Sequence, residues 1–263
     1  MEQITGMAWV TGFPDGSPLI PRGTCDPMAG MHAVFALLVA LEQRERDGEG
    51  RLVEVTMVEA ALNAAAEQVL EWSAYGRLLE RDGNRGPVAA PQGVYACRGD
   101  DEWIALAVAT EQQWDALRDA LGRPGWAGSP ALDTAAGRRA AHDDIDTELA
   151  RWCAARDRDE LVEELASAGI PAAAVVAPRE IAHNPQLRAR GFFETLEHPV
   201  TGRHEQPSMP FRFASRDEGW LRAAAPTLGQ HNDEVLRGLL GLGDDELDRL
   251  RGERVIGDRL VAS

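Results

Sequence analysis

The sequence predicts an α/β fold with a smaller α+β domain inserted into it, and three observations carry that expectation. Residues 27–79 run helix, tight turn, strand, helix; the middle of the chain offers two strand-like runs joined by a hairpin signal and followed by helical patterns; the end returns to helix. A chain of 263 residues, 44% of them hydrophobic, is long enough to bury a core as one large domain or two modest ones.

The first helix is expected from Pro27 to about Arg46. It follows a Gly- and Pro-rich stretch, residues 11–26, that ends in Cys25-Asp26-Pro27, an acceptor side chain before a proline. Met31, Val34, Phe35, Leu38 and Leu41 recur at helical spacing, and Asp47-Gly48-Glu49-Gly50 supplies the stop. Leu52, Val53 and Val55 read as a short strand of a parallel sheet. Thr56-Met57-Val58-Glu59 has the form in which two side chains satisfy orphan amides reciprocally at a helix start, and a second helix is expected to run to roughly Leu79.

Beyond the break at residues 81–87, Val94–Arg98 and Glu102–Val108 form the expected hairpin around Gly99-Asp100-Asp101. Helices are expected at Glu111–Leu121, Asp144–Ala155 and Arg158–Ala168, the last behind Asp157 as cap. A strand follows at Ile170–Ala177, then a helical Pro178–Arg190 and a Pro-rich extended region from Phe192 to Pro226. His231–Leu240 and Asp244–Arg251 close the chain as two short helices.

Composition narrows the function. The formal charge is −16 and all 27 basic residues are arginine, so the surface repels phosphate backbones and anionic lipids; neither nucleic acid nor membrane is an expected partner. Cys25, Cys97 and Cys153 are scattered and odd in number, which gives no disulfide framework or zinc spacing and fits a reducing cytoplasm. No long apolar run or leader pattern stands out. The six histidines include no His-x-x-x-His pair, so no metal is expected. Without any lysine, P-loop and Schiff-base chemistry are excluded.

Asp26 is the first candidate for chemistry, since a carboxylate at a helix N-terminus sits beside unpaired amides that favour its ionised form. The residues alone favour an ordinary cap. Glu67 and Glu71 share a face at a spacing typical of solvated surface, and Trp72, Tyr75, Trp103, Trp114 and Trp126 lie in apolar contexts that suit core packing.

Four segments in order resemble class III (CaiB/BaiF) CoA-transferases. They are Gly23-Thr24-Cys25-Asp26-Pro27-Met28-Ala29-Gly30-Met31-His32, residues 48–63 from Gly48-Glu49-Gly50-Arg51, Ala90-Pro91-Gln92-Gly93-Val94-Tyr95, and Pro226-Thr227-Leu228-Gly229-Gln230-His231-Asn232. The resemblance implies a Rossmann-like large domain, incomplete here, from residues 1–80 and 200–263, and a small α+β domain in 81–199. It implies transfer of CoA between an acyl-CoA and a free carboxylic acid, with Asp26 as nucleophile through an aspartyl acyl intermediate. Met57, Gln92 and Gly93 would lie beside the substrate. Coenzyme A would enter as substrate, with no permanent cofactor.

The same resemblance leaves two alternatives. An α-methylacyl-CoA racemase would use Asp26 for proton transfer, with Glu111 at the position of a racemase glutamate; an inactive homologue or half of a split enzyme is the other. Family members carry a further N-terminal segment ahead of the motif, so the implied partner is either a second copy in an interlocked homodimer or a separate chain supplying that segment. Cys25 replaces the glycine common before the family's aspartate.

Overall fold

The computed structural model describes residues 1–216 and 219–259. Two positions of the expected Pro-rich extended region, 217 and 218, and the last four residues lie outside them. The described chain separates into two compact units, residues 1–175 and 176–263.

The first unit opens with α1 (Met7–Val10) and a loop stapled to a later segment. Gly83 N–H donates to Gly12 O at 2.8 Å, Trp9 Nε1 donates to Leu79 O at 3.2 Å, and the Arg81 guanidinium lies 5.2 Å over the Trp9 ring. Helix α2 (Cys25–Asp47) follows; Gly48 in the left-handed region stops it by donating to Arg44 O. The expected second helix is two, α3 (Met57–Ala64) and α4 (Ala66–Tyr75), broken at Ala65. Helix α3 packs on α2.

Leu52–Val55 forms no strand. A strand exists only as a paired ladder, and no described segment pairs with these residues; Leu52 is 96% exposed. Both described sheets are antiparallel, so the expected parallel sheet is not found among the described residues.

The core of the unit is built on β1 (Gln92–Ala96), β2 (Trp103–Ala107) and β3 (Ala172–Val175), in that order across the sheet, with Tyr95 opposite Ile104 and Ile104 opposite Ala174. Ile104, Leu106 and Val108 alternate along one face, as a half-buried strand requires. Helices α5 (Glu111–Ala120), α6 (Ala135–Ala140), α7 (His142–Ala154) and α8 (Arg158–Ser167) follow β2. From them Trp114, Leu117, Ile145, Leu149, Leu161 and Leu165 complete one buried cluster with the strands. Thr110 and Gln113 form a reciprocal cap at α5.

Asp157 caps α8 as the sequence predicts, accepting from the amides of Asp159 and Glu160 at 3.1 and 3.3 Å. Replacing Asp157 with alanine is expected to lower the stability of this unit by about 1 kcal/mol, read from the denaturant midpoint. An unchanged midpoint would show that the cap contributes nothing.

The second unit contains α9 (Pro178–Ile181), α10 (Pro185–Ala189), a hairpin of β4 (Phe193–His198) and β5 (Gly202–Pro207), then α11 (Asn232–Gly238) and α12 (Asp244–Gly252). Glu194 organises the segment after the hairpin, accepting from the Ser208 hydroxyl and from the Trp220 and Leu221 amides. In the same segment the Trp220 ring meets Phe211 and Phe213 edge to face, and the two phenylalanine rings are tilted against each other.

The apolar face that predicts α2 is largely uncovered. Phe35 is 69% and Leu38 59% exposed, as are most of their apolar neighbours, and Cys25 is the one fully buried residue of the helix. Trp72 and Tyr75 on α4, expected in a core, also stand exposed. Their faces find no covering partner among the described residues. By length and composition α2 is also long and apolar enough to cross a membrane, which the scattered apolar run had not suggested.

Candidate functional site

The N-terminus of α2 is set by the Gly-Pro-rich loop before it. Gly23 takes a positive φ of 72°, which a side chain would disfavour, and turns the chain into Thr24. Thr24 is the N-cap but its hydroxyl donates backwards to Pro21 O at 3.2 Å instead of accepting from the helix. The helix therefore begins at Cys25, two residues before the expected Pro27, and Asp26 is not its cap. Its carboxylate stands in the exposed first turn beside the orphan amides, with no side-chain hydrogen bond or ion pair among the described residues.

Cys25 points the opposite way. Its thiol is buried; burial raises its pKa, and the nearby Glu2 carboxylate adds to the effect. The buried Cys25 side chain thus has Asp26 as its exposed neighbour. One turn on, His32 Nδ1 lies 2.8 Å from Met28 O.

Met57 is the first residue of α3, half-buried, on the helix that packs against α2. Its N-cap departs from the expected reciprocal form. Glu59 N–H donates to Thr56 Oγ1 at 3.3 Å, but the Glu59 carboxylate accepts from the Thr56 hydroxyl at 2.5 Å rather than from the Thr56 amide.

Gln92 and Gly93 open β1. The Gln92 side-chain amide is turned back to Asn84 O at 2.9 Å, so its main chain, not its side chain, is the presented part. At Gly93 a Cβ would come within 2.7 Å of the Tyr95 hydroxyl, and that hydroxyl donates to Asp146 at 2.7 Å; glycine is what keeps this bond open. Glu111 occupies the exposed first turn of α5. No described hydrogen bond or ion pair links Asp26 to Gln92, Gly93 or Glu111. The structure thus brings together the helices carrying Asp26 and Met57, and separately the pair Gln92–Gly93.

Sequence reasoning missed the groups that support β1: His142, Tyr95, Asp146, Arg85 and Arg138. Their only signal was the spacing of Arg138, His142 and Asp146, four residues apart. Among the described residues no cluster of His, Cys, Asp or Glu is gathered to hold a metal ion.

The model of CoA-transferase family III matches residues 1–232. The chain is 30% identical over 256 residues to a succinyl-CoA–D-citramalate CoA-transferase of Chloroflexus aurantiacus, covering 97% of this chain and 63% of that protein. It is 32% identical over 272 residues to a formyl-CoA:oxalate CoA-transferase of Escherichia coli O157:H7, covering 95% of this chain and 65% of the relative. Among solved structures, a CaiB/BaiF family protein from Brucella suis matches with a TM-score of 0.80 at 25% identity, over 90% of this chain and 61% of the other. The chain thus spans less than two thirds of the length of each. With a family match over almost all its length and a shared fold, the chain belongs to CoA-transferase family III.

Proposed function

We propose that this chain takes part in CoA transfer between an acyl-CoA and a free carboxylic acid, with Asp26 as nucleophile. The observation that carries the reading is the unpaired, solvent-facing carboxylate in the first turn of α2, within a chain of this family. Asp26 attacks the thioester carbonyl and expels CoA thiolate, leaving a mixed anhydride. The thiolate attacks the aspartyl carbonyl, releasing the donor acid and forming an aspartyl-CoA thioester. The acceptor carboxylate then repeats the exchange in reverse order, so CoA leaves on the acceptor and Asp26 is regenerated. Dividing one acyl exchange into smaller steps is the gain of covalent catalysis. The orphan amides of the helix start favour the ionised nucleophile.

The relatives' names supply the first substrates to try: succinyl-CoA and formyl-CoA as donors, D-citramalate and oxalate as acceptors. Incubation of the purified chain with each pair, read by chromatography of the CoA esters, is expected to show donor-dependent formation of a new thioester. No exchange with any pair, by the chain alone or with an added partner chain, would mark an inactive homologue.

On this reading residues 1–80 and 200–263 belong to a Rossmann-like large domain and 81–199 to the smaller inserted one. Support comes from the contrast between the closed core at Tyr95–Ile170 and the open apolar faces of α2 and α4. Faces of this kind mark a surface that another protein layer covers, from a second copy or a separate chain. The double variant Phe35→Asp, Leu38→Asp is therefore expected to abolish association and sediment at the 28.6 kDa of one chain, while the parent sediments as a larger species. A parent that is itself a soluble monomer, alone and with candidate partner chains, would sink the idea.

A further inference from the structure

Strand β1 is an edge strand, because the sheet order is β1-β2-β3. Alternate amides on its open side need acceptors from elsewhere, since an unpaired buried amide is costly. For Gln92 the acceptor is a side chain: its N–H donates to His142 Nε2 at 3.1 Å. The imidazole is buried at the start of α7. Accepting at Nε2 requires that nitrogen to be unprotonated, so His142 is neutral with its proton on Nδ1.

The surroundings hold the ring and its helix in place. Asp146 lies one turn along, with Oδ1 3.6 Å from His142 Nε2. That carboxylate is already engaged on both oxygens, by the Tyr95 hydroxyl at 2.7 Å and by Arg85 at 2.7 Å, and Arg85 also pairs with Asp143 at 2.5 Å. On the other side of the ring's target, the fully buried Arg138 donates to Ala90 O at 2.7 Å and to Leu132 O at 3.0 Å. The start of β1 is thus gripped at Ala90 O and at Gln92 N–H by two residues one helical turn apart in sequence.

We propose that His142 is a positioning residue for the Gln92–Gly93 segment, its neutral imidazole fixing the main chain of Gln92 where β1 begins. Its bearing on catalysis rests on the reading, above, of that segment as a neighbour of the thioester. Protonation of His142 would turn the acceptor into a donor facing a donor and release the segment. The groups facing the ring are Asp143 and Asp146 from α7, Arg85 and Asp82 from the loop before β1, Tyr95 through Asp146, and Gln92 itself. Burial outweighs the attraction of Asp146 and lowers the His142 pKa from its ordinary 6.5. The hydrogen bond is therefore complete at neutral pH and is lost only as pH falls through that lowered value.

The test is amide hydrogen exchange and imidazole nitrogen NMR on the 263-residue chain, in the parent, His142→Gln and His142→Leu. A glutamine oxygen can accept where Nε2 did and does not titrate; leucine cannot accept. Gln92 protection is expected to stay within twofold of the parent in H142Q and to fall about tenfold in H142L, the loss of one ordinary hydrogen bond. A protonated Nε2 in the parent at pH 7.5, or full protection of Gln92 in H142L, overturns the contact, and the nitrogen spectrum decides even if a variant fails to fold. For the role, H142L is expected to lower kcat/KM for the acyl-CoA about tenfold, with rescue by H142Q. Lost protection with unchanged kcat/KM would overturn positioning while the transferase reading stands. A parent inert toward every acyl-CoA would overturn the transferase reading and leave the NMR result to judge the contact.

Discussion

Asp26→Asn is expected to reduce CoA exchange by at least about 10³-fold, the scale on which loss of a covalent nucleophile is felt. The amide keeps the size and polarity of the side chain but cannot attack a thioester. Because Asp26 is exposed and makes no side-chain bond among the described residues, the variant should fold as the parent does, with a denaturation midpoint unchanged within about 0.5 kcal/mol. That separation of activity from stability is the diagnostic feature. The covalent step has its own readout: brief incubation with a donor acyl-CoA, then hydroxylamine, should place a hydroxamate on the peptide containing Asp26 in the parent and none in D26N. Exchange at parental rate by D26N would remove Asp26 from the mechanism, whereas no exchange by the parent itself would reopen the racemase reading. Deuterium wash-in at the α-carbon of a branched acyl-CoA would then be the next measurement.

The second large effect is on stability. Trp114→Ala should destabilise the first unit by about 3 kcal/mol, at the lower end of the range for a buried tryptophan. The ring is fully buried among β-sheet and helix residues, 6.3 Å from Trp126 and with the Arg138 guanidinium 5.5 Å over its face. Its indole N–H has no hydrogen-bond partner among the described residues, and removing that orphan donor offsets part of the loss. Trp72→Ala is the control: at 60% exposure it should move the midpoint by no more than about 0.5 kcal/mol in the isolated chain. Equal effects would mean that the exposed face of α4 is covered in solution.

These two tryptophans show where reading the sequence succeeds and where it stops. Both lie in apolar contexts, and the chain alone marks both as core. For Trp114 the covering layers come from nearby segments, strands β1 and β2 and helices α5 to α8. For Trp72 no described segment provides the cover. The same division runs through α2, whose boundaries, stop and apolar stripe were legible while the burial of that stripe was not. Leu52–Val55 has strand composition but forms no ladder, since pairing is a property of two segments. The β4–β5 hairpin, by contrast, was hidden behind the prolines of a region read as extended, since Phe193 and Leu196 do not alternate and only Gly202 marks the turn.

The sequence by itself determined the family motifs, the position of Asp26 near a helix start, the hairpin around Gly99, the Asp157 cap and most helix spans. All of these are local: side-chain type, spacing and turn chemistry act over a few residues. Only the structure decided that Asp26 lies inside the first turn of α2 rather than at its cap, because the turn at Gly23 starts the helical backbone two residues before Pro27. Only it joined Gln92 to His142 across fifty residues of chain and gave Gly93 a reason in the Tyr95 hydroxyl. Such contacts depend on which helix lies over which strand, a distance in space that no spacing along the chain encodes.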